Sequence, residues 1–187
     1  MATEKIVVRI NPTNSALFVC DLQEKFSKTI QYFPKIIKVS RRLIDTARIL
    51  NIPTVVTEQY PKGLGHTDRI LKEGLAEILH VHSTSEKQVE NVILVGIEAH
   101  VCVLQTTYDL LERGHNVHVV VDAVSSRTLN DRHFAFRQME KAGAVLTTSE
   151  AAILGLLGGS DHSKFREVQK LIMESAPDTG LVPIHKL

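Results

Sequence analysis

The chain has 187 residues, a formal net charge of +1 and no tryptophan, with 43% hydrophobic and 23% charged residues. Such a length and composition are typical of one globular domain, and we expect a single domain over residues 1–187. The balanced charge excludes a strongly basic nucleic-acid footprint, and no apolar run approaches the roughly 18 residues of a membrane span.

The first residues lack the apolar stretch of a signal peptide, so the sequence predicts a cytoplasmic protein. Two cysteines, Cys20 and Cys102, are too few for a disulfide framework. A bridge between them is conceivable if both lie at one edge of a sheet, but a reducing compartment favours free thiols.

Short apolar segments rich in β-branched residues alternate along the chain with segments of helical periodicity. The predicted strands cover residues 15–21, 54–58, 78–82, 92–96, 117–122 and 144–147, and the predicted helices cover 36–50, 101–113, 130–141 and 163–174. This alternation predicts a doubly wound parallel sheet with helices on both faces. The connection over residues 83–91 is short for a parallel crossover, which normally needs a dozen residues or more.

Two strand ends carry residues suited to nucleophilic catalysis. Asp21 follows an apolar strand, and Cys102 follows Gly96 near the start of a predicted helix. Backbone N–H groups and the helix dipole favour a thiolate at such a position, and carboxyl ends of parallel strands meet at one sheet edge. We therefore expect Asp21 and Cys102 to lie together, with Asp21 moving protons for the thiol.

Residues near these strand ends are candidates for contacting a substrate. Gln23 and Phe26 follow Asp21 by about one helical turn, and Tyr60 lies in a polar and aromatic cluster after the second strand. An equally weighted interpretation of the Tyr60 segment is a plain loop built by Pro61 and Gly63.

Histidines and glycines provide no other recognisable chemistry. No dinucleotide-binding or phosphate-binding glycine motif occurs, and no histidine pair has zincin spacing. His80 and His82 lack an obvious third ligand, so we expect surface histidines and no metal. His100 either orients the thiol of Cys102 or is a solvent-facing loop residue.

Four separated segments together resemble the isochorismatase-like cysteine hydrolase superfamily, closest to isochorismatase domain-containing proteins. They are residues 18–26 (FVCDLQEKF), 57–61 (TEQYP), 96–102 (GIEAHVC) and 119–127 (VVVDAVSSR). The resemblance implies a three-layer α/β/α sandwich with a mostly parallel sheet of about six strands. It also implies a homo-oligomer with a small-molecule substrate, no cofactor, and no nucleic-acid or membrane partner.

The resemblance further implies an Asp–Lys–Cys triad, of which Asp21 and Cys102 match two members. The family lysine segment after the third strand is missing, and Lys87 is the nearest substitute, with Lys72 the next. A cis peptide between Ile97 and Glu98 is implied, placing Glu98 and Ala99 at the substrate. The N–H groups of Ala99 and Cys102 would form an oxyanion hole.

The hypothesis is a hydrolase that cleaves a small amide-like C–N bond through Cys102 and Asp21. Metal-binding residues of nicotinamidases are absent after the second strand, and the nucleophilic cysteine argues against vinyl ether cleavage. The alternative is a weak or inactive member that serves as an interaction or redox-sensing protein, because the lysine segment is missing.

Overall fold

The computed structural model describes residues 9–75 and 89–181. In this part of the chain, five strands form one sheet: β1 (Ser15–Cys20), β2 (Thr54–Thr57), β3 (Asn91–Gly96), β4 (Asn116–Val124) and β5 (Val145–Thr147). The α-helices are α1 (Phe33–Ile49), α2 (Pro61–Leu64), α3 (Arg69–Leu75), α4 (Leu104–Glu112), α5 (Leu129–Ala142), α6 (Ser149–Leu157) and α7 (Phe165–Ile172). A 3-10 helix spans Glu24–Lys28, and a π-helical turn spans Ala99–Val103.

The sheet is parallel throughout these five strands, in the order β2-β1-β3-β4-β5. The chain starts at β1, moves outward to β2, and returns past β1 to β3 before continuing to β5. The direction of winding therefore reverses between β1 and β3. In open α/β sheets, a crevice forms at such a reversal, outside the carboxyl ends of the strands.

Helices cover both faces of the sheet, which gives the expected three layers. Strand residues alternate between the faces, so Leu17 and Val19 pack with α1, α3, α6 and α7 in one core. Val92 and Leu94 pack with α4 and α5 in the other core. The central strands β1, β3 and β4 are largely buried on both faces and accordingly mostly apolar, whereas the edge strands β2 and β5 are partly exposed.

Five predicted strands are confirmed, each with its ends within two residues of the observed ones. The sixth candidate, 78–82, lies outside the described residues, as do His80, His82 and most of the short connection. The helices predicted at 36–50, 130–141 and 163–174 correspond to α1, α5 and α7. None of the helices in the described segments is long and apolar enough to cross a membrane.

The helix predicted at 101–113 begins differently from the prediction. The π-helical turn comes first, and regular α-helix starts at Leu104, so Cys102 lies in the turn that leads into α4. The Val103 N–H donates to the Glu98 carbonyl oxygen at 3.2 Å, which closes this wider turn. Turns of this kind occur often at functional sites.

Candidate active site

Strands β1 and β3 bring the two predicted catalytic residues to the reversal point of the sheet. In the parallel register Cys20 lies opposite Gly96, so Asp21 and the segment leading to Cys102 leave the sheet at the same level. The Ile97 N–H donates to the Cys20 carbonyl oxygen at 3.0 Å, which keeps the two segments together just beyond the strands.

Gly96 makes this close approach possible. Its φ is +131°, and a Cβ at this position would overlap the carbonyl oxygen of Cys20. Any other residue would be strained both by its backbone conformation and by this contact. The glycine that ends the predicted strand is therefore required by the geometry of the site.

Asp21 occupies a strained and buried position at the end of β1. Its φ is +51°, in the left-handed region that aspartate tolerates better than most residues, and its relative exposure is 3%. The Thr57 hydroxyl donates to Oδ1 at 2.7 Å, and the Asp21 N–H donates to the Thr57 carbonyl oxygen at 3.2 Å. Strand β2 thus fixes the carboxylate from one side.

Cys102, Cys20 and Asp21 form an interacting group of side chains. Cys102 is half-buried, whereas Cys20 is buried, and both thiols are free. A hydrogen bond from the Cys20 thiol lowers the pKa of Cys102, and a backbone hydrogen bond from Glu98 acts in the same direction. Burial and the charge of Asp21 oppose this effect, but the pKa of Cys102 remains lowered.

The pKa of Cys20 shifts in the opposite direction to the pKa of Cys102. Its pKa is strongly raised, first by the hydrogen bond to Cys102, then by burial and by the charge of Asp21. The two shifts share a cause, a hydrogen bond in which the Cys20 thiol donates to the Cys102 sulfur. This arrangement leaves one nucleophilic sulfur at the accessible position.

No cation is among the groups that shift either thiol within the described residues. Lys87, the predicted substitute for the family lysine, lies outside these residues. Lys72 is an exposed residue at the end of α3. Across residues 9–75 and 89–181, no three His, Cys, Asp or Glu side chains are arranged to hold a metal ion.

The segment before Cys102 is clamped to the loop after β4. The Ile97–Glu98 peptide is cis, as the resemblance implies. Arg127 donates from Nη2 to Glu98 Oε1 at 2.7 Å and from Nε to Oε2 at 3.1 Å, and this pair holds the pKa of the Glu98 carboxyl below its usual range. His100 contacts the Ser126 hydroxyl at 3.0 Å through Nδ1.

The contact with the loop after β4 also involves one of the two predicted donors of the oxyanion hole. The Ala99 N–H already donates to the Ser125 carbonyl oxygen at 2.8 Å, and Ala99 is fully buried. Ala99 therefore fixes the loop through its backbone in this structure. The N–H of Cys102 remains the predicted donor to a substrate oxygen.

The other predicted substrate-contacting residues lie in different surroundings. Gln23 is fully buried: its Nε2 donates to the carbonyl oxygens of Gln59 and Gly65, and its Oε1 accepts from the Gln59 N–H. Phe26 packs at the border of the core that contains α1. Tyr60 is 69% exposed and precedes α2. Only Tyr60 of these three presents most of its surface to solvent.

Glu58 stabilises the far end of the loop that follows β2. Its Oε1 accepts from the Thr67 N–H and hydroxyl at 2.6 and 2.7 Å, and its Oε2 contacts His66. These hydrogen bonds lower the pKa of Glu58 to about 2. Together with Gln23, Glu58 holds the loop that follows β2 beside the carboxyl end of β1.

Three residues of this neighbourhood escaped prediction as parts of the site: Cys20, Thr57 and Arg127. Alternation along β1 assigns Cys20 and Asp21 to opposite faces of the sheet, but Asp21 has a left-handed backbone and both residues shift the pKa of Cys102. The β1–β2 register, which places Thr57 opposite Cys20, was the available signal for Thr57.

Comparisons with known proteins point to one family. The sequence profile of the isochorismatase domain matches residues 15–84 and 68–151. Human isochorismatase domain-containing protein 2 is 48% identical over 185 residues, covering 93% of this chain and 90% of that protein. The Xenopus laevis protein of the same name is 41% identical, covering 100% of this chain and 97% of that protein.

The chain belongs to the isochorismatase family.

Solved structures of isochorismatase-like proteins share the fold. A structure described as MAR1 ribonuclease from Caenorhabditis elegans is 69% identical, with a TM-score of 0.87, covering 96% of this chain and 100% of that one. The YcaC gene product of Escherichia coli, described as an octameric hydrolase of unknown specificity, is 22% identical, with a TM-score of 0.74. It covers 89% of this chain and 97% of that one, and at this identity the likeness concerns the fold.

Proposed function

We propose that this isochorismatase-family chain is a cysteine hydrolase that cleaves a small amide-like substrate, with Cys102 as nucleophile and Asp21 as general acid and base. The observation that carries the proposal is the position of a half-buried thiol, Cys102, and a buried carboxylate, Asp21, just beyond the paired strands β1 and β3 where the sheet reverses its winding. The lowered pKa of Cys102 supports it. A lowered thiol pKa at an accessible position in a crevice is the usual condition for nucleophilic catalysis.

The reaction follows from these positions. Asp21 takes the proton of the Cys102 thiol as the sulfur attacks the carbonyl carbon, and it passes this proton to the leaving nitrogen as the C–N bond breaks. A thioester on Cys102 results. Water then attacks the thioester carbon while the Asp21 carboxylate takes its proton, and the acid product leaves with the thiol restored. Neither step needs a metal or a cofactor.

Cys20 supplies part of what the missing lysine segment would supply. Its thiol donates to Cys102 and stabilises the thiolate without adding charge. A neutral donor is a weaker support than a cation, so the activity should be modest unless Lys87 or Lys72 also contributes. Lys87→Ala and Lys72→Ala measure that contribution, and the residue that acts as the cation will lower kcat when replaced.

The remaining site residues are proposed to contact or shape the substrate pocket: Gln23, Phe26, Tyr60, Glu98 and Ala99. Tyr60 is the cleanest test, because its exposed ring contributes little to stability. We expect Tyr60→Ala to raise KM with little change in kcat. Gln23 and Glu98 act through the loops they hold, so their replacement should lower both activity and stability.

A panel of small amides tests the proposal, with product acid and ammonia or amine measured directly. We expect turnover by the native chain, a thioester mass on Cys102 when turnover is stopped by acid, and no turnover by Cys102→Ala. Asp21→Asn should retain folding and lose at least about a hundredfold in kcat, the usual scale of general acid–base catalysis. Turnover that survives in Cys102→Ala would refute the mechanism.

A second candidate is RNA cleavage, because the 69% identical Caenorhabditis elegans structure is described as a ribonuclease. Asp21 would then take the proton of a ribose 2′-hydroxyl. RNA cleavage that disappears in Asp21→Asn but persists in Cys102→Ala would establish this alternative. If neither amide nor RNA is cleaved, the remaining candidate is a weak or inactive family member that serves as an interaction or redox-sensing protein.

We also propose a homo-oligomer in a cytoplasmic setting. Three large apolar side chains are well exposed to solvent. Their relative exposures are 56% for Phe134, 78% for Met173 and 44% for Val101. Self-association is one way of covering such side chains. Light scattering on the purified chain measures the mass directly, and Phe134→Asp should shift it toward the monomer if α5 forms the interface.

A further inference from the structure

Two serines directly after β4, Ser125 and Ser126, have no part in the chemical steps of the proposed reaction. Both are fully buried. Most buried hydroxyl groups have hydrogen-bond partners, and those partners show which segments such a residue holds together. The hydroxyl of Ser126 contacts His100 in the loop before Cys102, whereas Ser125 reaches two different segments.

Ser125 uses its N–H, its carbonyl oxygen and its hydroxyl in three hydrogen bonds. Its N–H donates to the Gly96 carbonyl oxygen at 3.3 Å, and its carbonyl oxygen accepts from the Ala99 N–H at 2.8 Å. Its hydroxyl donates to the Gln31 carbonyl oxygen at 2.7 Å. The first two bonds reach the loop that leads from β3 to Cys102. The third reaches the segment that leads from β1 to α1.

Gln31 also bonds to the two residues that follow Ser125. Its N–H donates to the Ser126 carbonyl oxygen at 3.0 Å, and its Nε2 donates to the Arg127 carbonyl oxygen at 3.2 Å. Three consecutive residues after β4 are thus joined to one residue before α1. Several bonds between two segments fix their relative orientation as well as their distance.

The segment that ends at Gln31 begins at Asp21 and contains two predicted substrate contacts, Gln23 and Phe26. Hydrogen bonds within it follow one another along the chain. The Gln23 N–H donates to the Asp21 carbonyl oxygen at 2.8 Å, and the Phe26 N–H donates to the Gln23 carbonyl oxygen at 3.2 Å. The Ile30 N–H donates to the Phe26 carbonyl oxygen at 3.0 Å. A displacement at Gln31 should therefore move the whole segment.

We propose that Ser125 is a positioning residue of the candidate active site, whose hydroxyl fixes the segment that carries Asp21 against the loop that carries Cys102. This role rests on the proposed function, in which a proton passes between Asp21 and Cys102. Proton transfer and nucleophilic attack are sensitive to such placement, since a displacement of about 1 Å can cost about a hundredfold in rate. Ser125 acts through Gln31 and Ala99 and not on the reacting atoms.

Replacing Ser125 by alanine removes the hydroxyl and keeps both backbone hydrogen bonds. Ser40→Ala is the matched control, because Ser40 is a fully buried serine of α1 whose hydroxyl has no hydrogen-bond partner within the described residues. With an amide that the native chain cleaves, we expect Ser125→Ala to lower kcat by about tenfold or more and to change KM little. A substrate can follow either segment, whereas the proton must pass between them. Ser40→Ala should match the native chain.

Iodoacetamide labelling of Cys102 gives a second measurement that needs no amide substrate. The charge of Asp21 raises the pKa of Cys102, and a backbone hydrogen bond from Glu98 lowers it. A change in the placement of the two segments alters this balance. The midpoint of the labelling rate between pH 5 and 10 should therefore move by about 0.5 pH unit or more in Ser125→Ala. It should stay unchanged in Ser40→Ala.

Folding of each variant is checked by circular dichroism. If Ser125→Ala does not fold, Gln31→Ala replaces it, since Gln31 is exposed and this variant loses only the bond to the Arg127 carbonyl oxygen. We then expect smaller changes of the same kind, of about threefold in kcat. A Gln31→Ala variant with the native midpoint and kcat would overturn the proposal.

If an amide is cleaved, the proposal requires both changes in folded Ser125→Ala, and either one without the other would overturn it. If no amide is cleaved, the midpoint alone decides, and a shifted midpoint would then refute the hydrolase proposal but support the positioning role. Amide turnover that is lost in Cys102→Ala and is equal in Ser125→Ala and Ser40→Ala would refute the positioning role alone.

Discussion

At the scale of single residues, the centre of the site is a pair of sulfurs beside a carboxylate. Asp21 raises the pKa of both thiols, so the site depends on a donor that favours the thiolate on Cys102. Cys20 is that donor, and its own burial prevents it from competing as a nucleophile. Cys20, which in the sequence resembles an ordinary core residue of a strand, therefore sets the reactivity of Cys102.

Replacing Cys20 tests this dependence. In Cys20→Ala the thiolate loses its principal hydrogen bond, so the pKa of Cys102 should rise, and labelling by iodoacetamide at pH 7 should slow several-fold. Cys20→Ser keeps a hydroxyl donor and should show the smaller change. Labelling rates are measured from pH 5 to 10 by peptide mass. Identical profiles for the alanine variant and the native chain would contradict the assignment.

At the scale of secondary structure elements, the site depends on loops that are held by buried polar side chains. Gln23 satisfies three backbone groups of the loop after β2, and Arg127 with Glu98 joins the loops after β3 and β4. Each contact links segments that are distant in the chain. The loops are thereby positioned by side chains rather than by regular hydrogen-bond ladders.

Gln23→Ala should lower the free energy of unfolding by about 1–3 kcal/mol, because it leaves the backbone partners of Gln23 buried and without hydrogen bonds. Lys25→Ala is the matched control, because Lys25 donates to Gly63 of the same loop from an exposed position at 2.8 Å. We expect less than about 0.5 kcal/mol there. Urea denaturation gives both values, and faster hydrogen exchange at the Gln59 amide should accompany only the Gln23 variant. Equal losses in the two variants would contradict a positioning role.

Strands and helices with clear periodicity were predictable from the sequence, and the apolar strands ending in Asp21 and Gly96 also placed the site. Helix α6 was missed because Ala151, Ala152 and Ile153, with the leucines that follow, give almost no polar face. The π-helical turn and the left-handed backbone of Asp21 could not be predicted from the sequence either, since both arise from tertiary contacts between strand ends. Hydrogen-bond partners such as Thr57 required the register of the sheet.

At the scale of the whole molecule, two apolar cores enclose the sheet. His118 is a buried ionisable residue of this sheet: it lies in β4 between Ile93 of β3 and Val145 of β5 and is 4% exposed. Its Nε2 has no hydrogen-bond partner among the described residues, and burial lowers its pKa. The native fold therefore holds a neutral imidazole in its central sheet.

This burial makes stability dependent on pH. Because the pKa of His118 is lower in the folded chain than in the unfolded chain, its contribution is complete above about pH 6.5 and is lost as the pH falls toward the folded value. The slope approaches about 1.4 kcal/mol per pH unit within that window. His118→Val should flatten the curve of unfolding free energy between pH 5 and 7, measured in urea. An unchanged difference between pH 5 and 7 in the variant would contradict the assignment.

The clamp between Glu98 and Arg127 has a consequence for the chain during synthesis. Cys102 is made before the segment after β4, so its loop emerges from the ribosome without the partner that fixes it. Until Arg127 is made, Glu98 lacks the guanidinium that binds both oxygens of its carboxylate in the folded chain. We therefore expect the loop that carries Cys102 to reach its final conformation only after β4 and the segment that follows it have been made.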